Sequence, residues 1–593
     1  MPSLAYRLSA PDPRTHTFHV RVEAHGLARD LVDLVMPVWA PGSYLVREFA
    51  RNVTAFTARD GRGRKLPWTR PDKCTWRVEA GGADVVRAEY DIFAHELSVQ
   101  TSHLDTSHGY ANGTSTFMYV DGAKELPCDL TIEPPRGWNV DVGLDEAGRN
   151  RFRVPDYDTL ADAPIEMGTH RRLDFRVGGV DHRVALWGRG NEDVDVLVRD
   201  LGKIAREEAA IFGGQPFDRF LWIVHLTNGK WGGLEHLTST TLHADRWTFS
   251  PRKEYTRFLG LAAHEFFHVW NVKRIRPKAL GPFDYTRENH TTLLWAMEGL
   301  TSYYDHLILA RAGLLPEDRY REYLAETLQK LLDVPGRRVQ SLCESSDETW
   351  VKFYRPDGDS PNRGVSYYLK GELVGAALDL EIRRRTRGRK GLDDVFRHLW
   401  ENVYLAGATL EEDGFERAVE TVTGLPWGAW FARYVRGRED PDWKALFAAA
   451  GWDLRPVQRG EEARKDPKKR WEAVPSSGAW LGLTTRKDEG AVRTQTVYRG
   501  SPAERAGVAP GDELVSLGGF RVTEDALKKR LAELAPGARV RLAVFRRDEL
   551  VTLDVRLGAP PPEKWKLDKR KGAPAQAKRL RKAWLAPRAG RNR

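Results

Sequence analysis

The stretch "LAAHEFFHVWNVKRIRP", residues 261–277, decides how this chain is read, because His264 and His268 stand four apart with Glu265 between them. On an α-helix, residues i and i+4 share a face, so both imidazoles can reach one cation while Glu265 projects beside it. The flanking "TRFLGLAAHEFFHVW" has no glycine after Gly260 and no proline before Pro277, and its apolar residues predict a buried helix. With 16 His and 83 acidic residues in the chain, His-acid-x-x-His arises by chance only roughly 0.06 times. A catalytic zinc also needs a third protein ligand and an open position.

A carboxylate on a second helix meets that need. In "LLWAMEGLTSYYDHL", residues 293–307, Glu298 sits among Trp295, Leu300 and Tyr303. A glutamate so placed is costly unless it is paired or bound to a metal. His290 and His306 are nearby alternatives without that embedded setting.

Around this centre the chain divides by pattern. A length of 593 residues exceeds one hydrophobic core, and 20 tryptophans argue against disorder. Residues 1–178 alternate in short runs such as "HTFHVRVEA" and "CTWRVEA", which predicts an antiparallel β domain. Residues 179–455 open with strands, including "FLWIVHL", and continue as helices. A charged, proline-bounded linker is expected at 456–477, a compact unit at 478–558 and a basic tail at 559–593.

The formal net charge of +10 is concentrated in that tail, which reads as a solvated appendage; a nucleic-acid partner is not favoured. No apolar run is long enough for a signal peptide or a membrane helix, so a soluble, cytoplasmic protein is expected. Cys74, Cys128 and Cys343 lie far apart, as reduced packing residues do.

The combination "HEFFHVWNVKRIRP" and "WAMEGLTSYY" resembles the glycyl aminopeptidase family of PDZ-containing zinc peptidases, relatives of aminopeptidase N among the thermolysin-like gluzincins. The likeness runs from "PVWAPGSYLVREFARNV" near the N-terminus to the C-terminal unit. It implies a multidomain α+β fold: an N-terminal β-sandwich, a mainly helical thermolysin-like catalytic domain and a PDZ domain. It also implies one zinc ion per chain, held by His264, His268 and Glu298, with Glu265 as general base. Aminopeptidase N has a shorter spacing between its second histidine and its ligand glutamate than the 29 residues here; "KALGPFDYTRENH" can form the extra loop.

An aminopeptidase must also recognise the α-ammonium of its substrate. "GGLEH", residues 232–236, resembles the amine-binding motif of aminopeptidase N, with Leu234 and His236 in place of its Met and Asn. This selects Glu235, with Gly233 allowing close backbone approach on a strand that can pair with a peptide. Tyr-x-Lys-Gly in "VSYYLKGELVG" resembles the segment that carries the transition-state tyrosine and selects Tyr368, leaving Tyr367 as packing. The resemblance implies peptide substrates with a preference for N-terminal Gly or Ala. In the PDZ-like unit, "WLGL" at 480–483 makes Gly482 the candidate for a loop that binds peptide C-termini. Two other readings stay open: a zinc endopeptidase with PDZ-guided substrate capture, and a peptide-binding scaffold with an inactive peptidase domain.

Overall fold

Alternation decides the N-terminal architecture. The buried residues of Thr17–His25 are Phe18, Val20, Val22 and Ala24, and those of Val85–Phe93 are Val86, Ala88, Tyr90 and Ile92. Strands with one buried face need a layer to cover it. The computed structural model of the protein, which describes residues 2–458, 461 and 478–590, pairs these two strands inside a seven-stranded sheet. A four-stranded sheet containing Leu31–Val35 and Thr75–Glu79 packs on it, with Trp76 stacked on Phe56 at 5.7 Å between centroids. The expected β-rich N-terminal domain is therefore present. A smaller sheet, holding His108–Ala111 and Ile165–Gly168, reaches toward the middle of the chain.

The central domain opens on a five-stranded sheet. Its spatial order is Arg171–Val177, Val180–Trp187, Arg219–Thr227, Ser239–Asp245 and, at the edge, Gly232–Glu235. The run Phe220–Leu226 is buried throughout, as a parallel strand covered on both faces must be. Helices follow. Arg252–Phe267 buries Tyr255, Phe258, Leu259, Ala262, Ala263, Phe266 and Phe267, and stacks Phe267 on Tyr304 of helix Leu300–Arg311 at 4.5 Å. Between them "KALGPFDYTRENH" has one 3₁₀ turn, Lys278–Leu280, and otherwise loops. The loop docks on the N-terminal domain, where Val38 N–H donates to the Tyr285 carbonyl at 2.9 Å and Trp39 Nε1 to the Asp284 carbonyl at 2.9 Å.

The C-terminal unit has its own core of Leu481, Val492, Leu514, Leu542, Val544 and Val555. It touches the central domain through Asn362, whose Nδ2 donates to the Val497 carbonyl at 2.7 Å. The linker expected over 456–477 lies, beyond Gln458 and apart from Glu461, outside the described residues.

The tail departs from expectation. Instead of a solvated appendage, Lys564–Lys569 pairs with Trp452–Val457, and helix Ala575–Leu585 buries Ala577, Leu580 and Trp584 against the central domain. Trp584 Nε1 donates to the Tyr303 hydroxyl at 2.6 Å, and Arg588 Nε donates to Asp393 at 2.6 Å. The apolar residues at helical spacing, not the basic ones between them, decide where this segment goes. Among the described residues no helix is long and apolar enough to cross a membrane, and all three cysteines are free.

Candidate metal centre and peptide cleft

The helix and the turn after it hold the two histidines differently. His264 lies within helix Arg252–Phe267, while His268 caps its C-terminus and still donates its backbone N–H to the His264 carbonyl at 3.4 Å. His268 Nδ1 donates to the Asn271 carbonyl at 2.8 Å, which leaves Nε2 as the lone-pair nitrogen. His264 Nδ1 faces Asp305 Oδ2 at 3.9 Å. Both Nε2 atoms converge on one oxygen of Glu298, at 3.4 Å from His264 and 3.2 Å from His268.

Glu298 does not sit on an ordinary helix turn. Trp295–Gly299 is π-helical and runs into helix Leu300–Arg311. Such one-turn bulges re-aim side chains at functional sites. Asn271 pins the bulge, donating from Nδ2 to the Ala296 and Met297 carbonyls, each at 2.9 Å, and to the Thr301 hydroxyl at 3.0 Å. One residue thus holds both the second histidine and the glutamate turn. The sequence reading missed Asn271, although it stands three positions past His268 in the same motif.

Seven of the predicted residues line one cavity of about 300 Å³: Gly233, Glu235, His264, Glu265, His268, Glu298 and Tyr368. Gly233 is there because nothing larger fits; a β-carbon on it would stand 2.2 Å from Glu265 Oε1. Glu235 ends the edge strand, is 4% exposed, and is cradled by Gly42 of the N-terminal domain, where a β-carbon would stand 2.5 Å from its Oε1. Ligating atoms of Glu235, Glu265 and His268 lie within 4.8 Å of one another. Tyr368 faces the cavity with its ring 6.2 Å from that of His264, whereas Tyr367 is fully buried and accepts from Thr349. Tyr354, half-buried beside Tyr368 and close enough to Glu298 to feel its charge, is a further neighbour that no sequence motif marked.

His306 lines the same cavity but turns its Nδ1 to Asp305 and stacks on Tyr323 at 3.5 Å, while His290 lies outside and faces the Asp347 carbonyl. Gly482 belongs to the C-terminal unit and is not brought to this cavity. Its φ of +85° and its closeness to Ser501, 2.2 Å from a β-carbon built there, require glycine for the loop.

Charge completes the picture. Glu235, Glu265, Glu298 and Asp305 surround two histidines in a largely buried space. Burial pushes the Glu265 carboxyl well above the ordinary range, against His268 and with Glu235 and Glu298. Burial also raises Glu235, again opposed by His268. Glu298 resists burial and is held at about 2, because His268 and His264 face it. His268, despite burial, is carried up to about 10 by Glu298. Ligating atoms of His264, His268 and Glu298 lie within 4.8 Å of one another, and two imidazoles with one carboxylate are the donor set of a zinc centre. The residues fit the ion.

Residues 5–169 match the peptidase M61 N-terminal domain, residues 257–374 match M61 glycyl aminopeptidase, and residues 479–557 match a PDZ domain. Over those segments the chain carries the M61 N-terminal and M61 glycyl aminopeptidase domains. The protein is a metallopeptidase. The same fold is seen in the crystal structure of an aminopeptidase N family protein from Idiomarina loihiensis. It superposes with a TM-score of 0.90 at 28% identity, over 98% of this chain and 100% of that one. An M1 zinc metallopeptidase from Deinococcus radiodurans aligns with a TM-score of 0.46 at 14% identity, over 74% of this chain and 95% of that one. No curated protein sequence matches the chain.

Proposed function

We propose that this metallopeptidase is a zinc aminopeptidase that releases single N-terminal residues, glycine or alanine by preference, from peptides. The observation that carries the reading is Glu235, a buried carboxylate lining the same cavity as Glu265 and the histidines. A peptide extending past it toward the N-terminus would meet Gly42, packed directly on the carboxylate. A free ammonium ends the chain there and pairs with Glu235. An endopeptidase needs the opposite, an open path on both sides of the scissile bond.

When bound by His264, His268 and Glu298, one zinc ion per chain supplies Lewis acidity to the scissile carbonyl and to a water. Glu265 accepts that water's proton and returns it to the leaving amine. Tyr368 donates its hydroxyl to the developing oxyanion from the facing wall. The edge strand Gly232–Glu235 offers unpaired backbone groups to an extended substrate, and Gly233 keeps that strand close to Glu265. The preference for glycine follows the matching family's description, and alanine enters through the sequence resemblance. Gly482 and its loop are the candidate site for peptide C-termini, and the free cysteines suit a cytoplasmic setting.

Glycyl- and alanyl-anilides against their N-acetylated forms, with chelator and zinc add-back, test the reading. Metal-dependent turnover restricted to free amines is expected. Turnover of blocked substrates would make the enzyme an endopeptidase, and no turnover by zinc-loaded protein would favour the scaffold reading.

A further inference from the structure

A second convergence of metal-binding side chains lies away from the cleft, where the N-terminal domain meets the central sheet. His108 opens strand His108–Ala111, Glu166 lies on strand Ile165–Gly168, and His225 comes from strand Arg219–Thr227. In the antiparallel pair, Tyr110 faces Glu166 and His108 faces Gly168, so His108 and Glu166 project from one face of the small sheet. His225 meets them from the central sheet. All three are 0% exposed, and a ligating atom from each lies within 4.8 Å of the other two.

Their hydrogen bonding is incomplete in an informative way. His225 Nε2 is 2.9 Å from Glu166 Oε2, and His225 Nδ1 is held by His243 Nε2 at 2.9 Å. Neither ring nitrogen of His108 has a partner, nor does Glu166 Oε1. Trp187 stacks on the His108 ring at 3.8 Å and fixes its plane. Close by, His170 Nε2 is bound by Asp141 at 2.6 Å, while its Nδ1 is unpartnered and 3.8 Å from Glu166 Oε1. A carboxylate behind an imidazole whose other nitrogen points at a shared acid is the usual arrangement of a metal-bound histidine. A buried polar atom without a partner calls for an explanation in strain, water or an ion, and here imidazole nitrogens and a carboxylate oxygen left open around one space favour a cation.

We propose that His108, Glu166 and His225, with His170 as fourth donor, form a second, structural zinc site that ties the N-terminal domain to the central sheet. With His170 completing four buried protein donors, the site is closed and holds a cation without offering it to substrate. Its role is mechanical: it fixes the N-terminal domain, and with it Gly42, relative to the strand system that carries Glu235.

Zinc content of the purified full-length chain, grown with added zinc and desalted without chelator, tests this. Wild type is expected to hold about two equivalents and H264Q/H268Q, which loses the catalytic ion, about one; adding H108Q should take that variant to about zero. X-ray absorption at the zinc edge of H264Q/H268Q should show imidazole ligation, a readout that stands even if H108Q does not fold. A zinc-free H264Q/H268Q protein, residual zinc unaffected by H108Q, or residual zinc without imidazole ligands would each overturn the site and leave a proton-sharing His–Glu cluster in its place.

Discussion

Gly299 and Gly371 touch backbone to backbone: a β-carbon on Gly299 would stand 2.6 Å from the Gly371 Cα, and one on Gly371 would stand 2.8 Å from the Gly299 Cα. Gly299 closes the π-helical turn that carries Glu298, and Gly371 lies one turn past Tyr368. This contact gives the Tyr-x-Lys-Gly pattern a physical reason, since only glycine on both sides lets the tyrosine helix approach the glutamate. Gly371→Ala should force the two elements apart, costing about 1–3 kcal/mol of stability. The catalytic rate constant should fall more than KM changes, because Tyr368 retreats from the oxyanion. Thermal melts and steady-state kinetics read both effects.

Gly233→Ala should leave the fold intact and damage catalysis. The added methyl group would occupy the space of the Glu265 carboxylate. A displacement of that order costs roughly 100-fold in rate. Metal content should stay at the wild-type value, which separates this variant from one that loses the ion.

Asn271→Ala removes the donors that hold the Ala296 and Met297 carbonyls, while the backbone carbonyl facing His268 remains. Freed from its clamp, the Glu298 turn should loosen, and zinc affinity should fall by about 10–100-fold. Competition with a chromophoric chelator measures this without reference to activity.

The motif residues were legible because helix periodicity places His264, Glu265 and His268 by spacing alone, and because a glutamate among Trp295, Leu300 and Tyr303 is costly unless paired or metal-bound. The π turn was not, since its extra residue leaves the apolar pattern of a helix unchanged. Gly42 and the His108, Glu166 and His225 cluster were invisible for another reason: sheet pairing joins positions far apart in sequence, and no local period reports it. In the tail, net charge hid a signal that was present, the helical spacing of Ala577, Leu580 and Trp584.

Acid should weaken the central sheet through His182. Burial lowers its pKa to about 4, and Trp222 Nε1 donates to its Nδ1 at 3.2 Å, which requires the neutral ring. Because the unfolded chain takes up the proton first, stability is complete above about pH 6.5 and declines as pH falls toward 4. The loss across that window is about 3 kcal/mol. His182→Gln, which keeps an acceptor for Trp222, should flatten the dependence of the urea midpoint on pH over the same range.

The most direct test of the central claim is kcat/KM of zinc-loaded Glu235→Gln beside wild type, on alanyl-anilide and on an internally cleavable N-acetylated peptide. If Glu235 sets the register by holding the ammonium, the variant should lose about 100-fold on the free amine, a charged pair in a buried cleft being worth several kcal/mol. Neither protein should cleave the blocked peptide. A variant with wild-type kcat/KM, or wild-type cleavage of the acetylated substrate, would contradict the account.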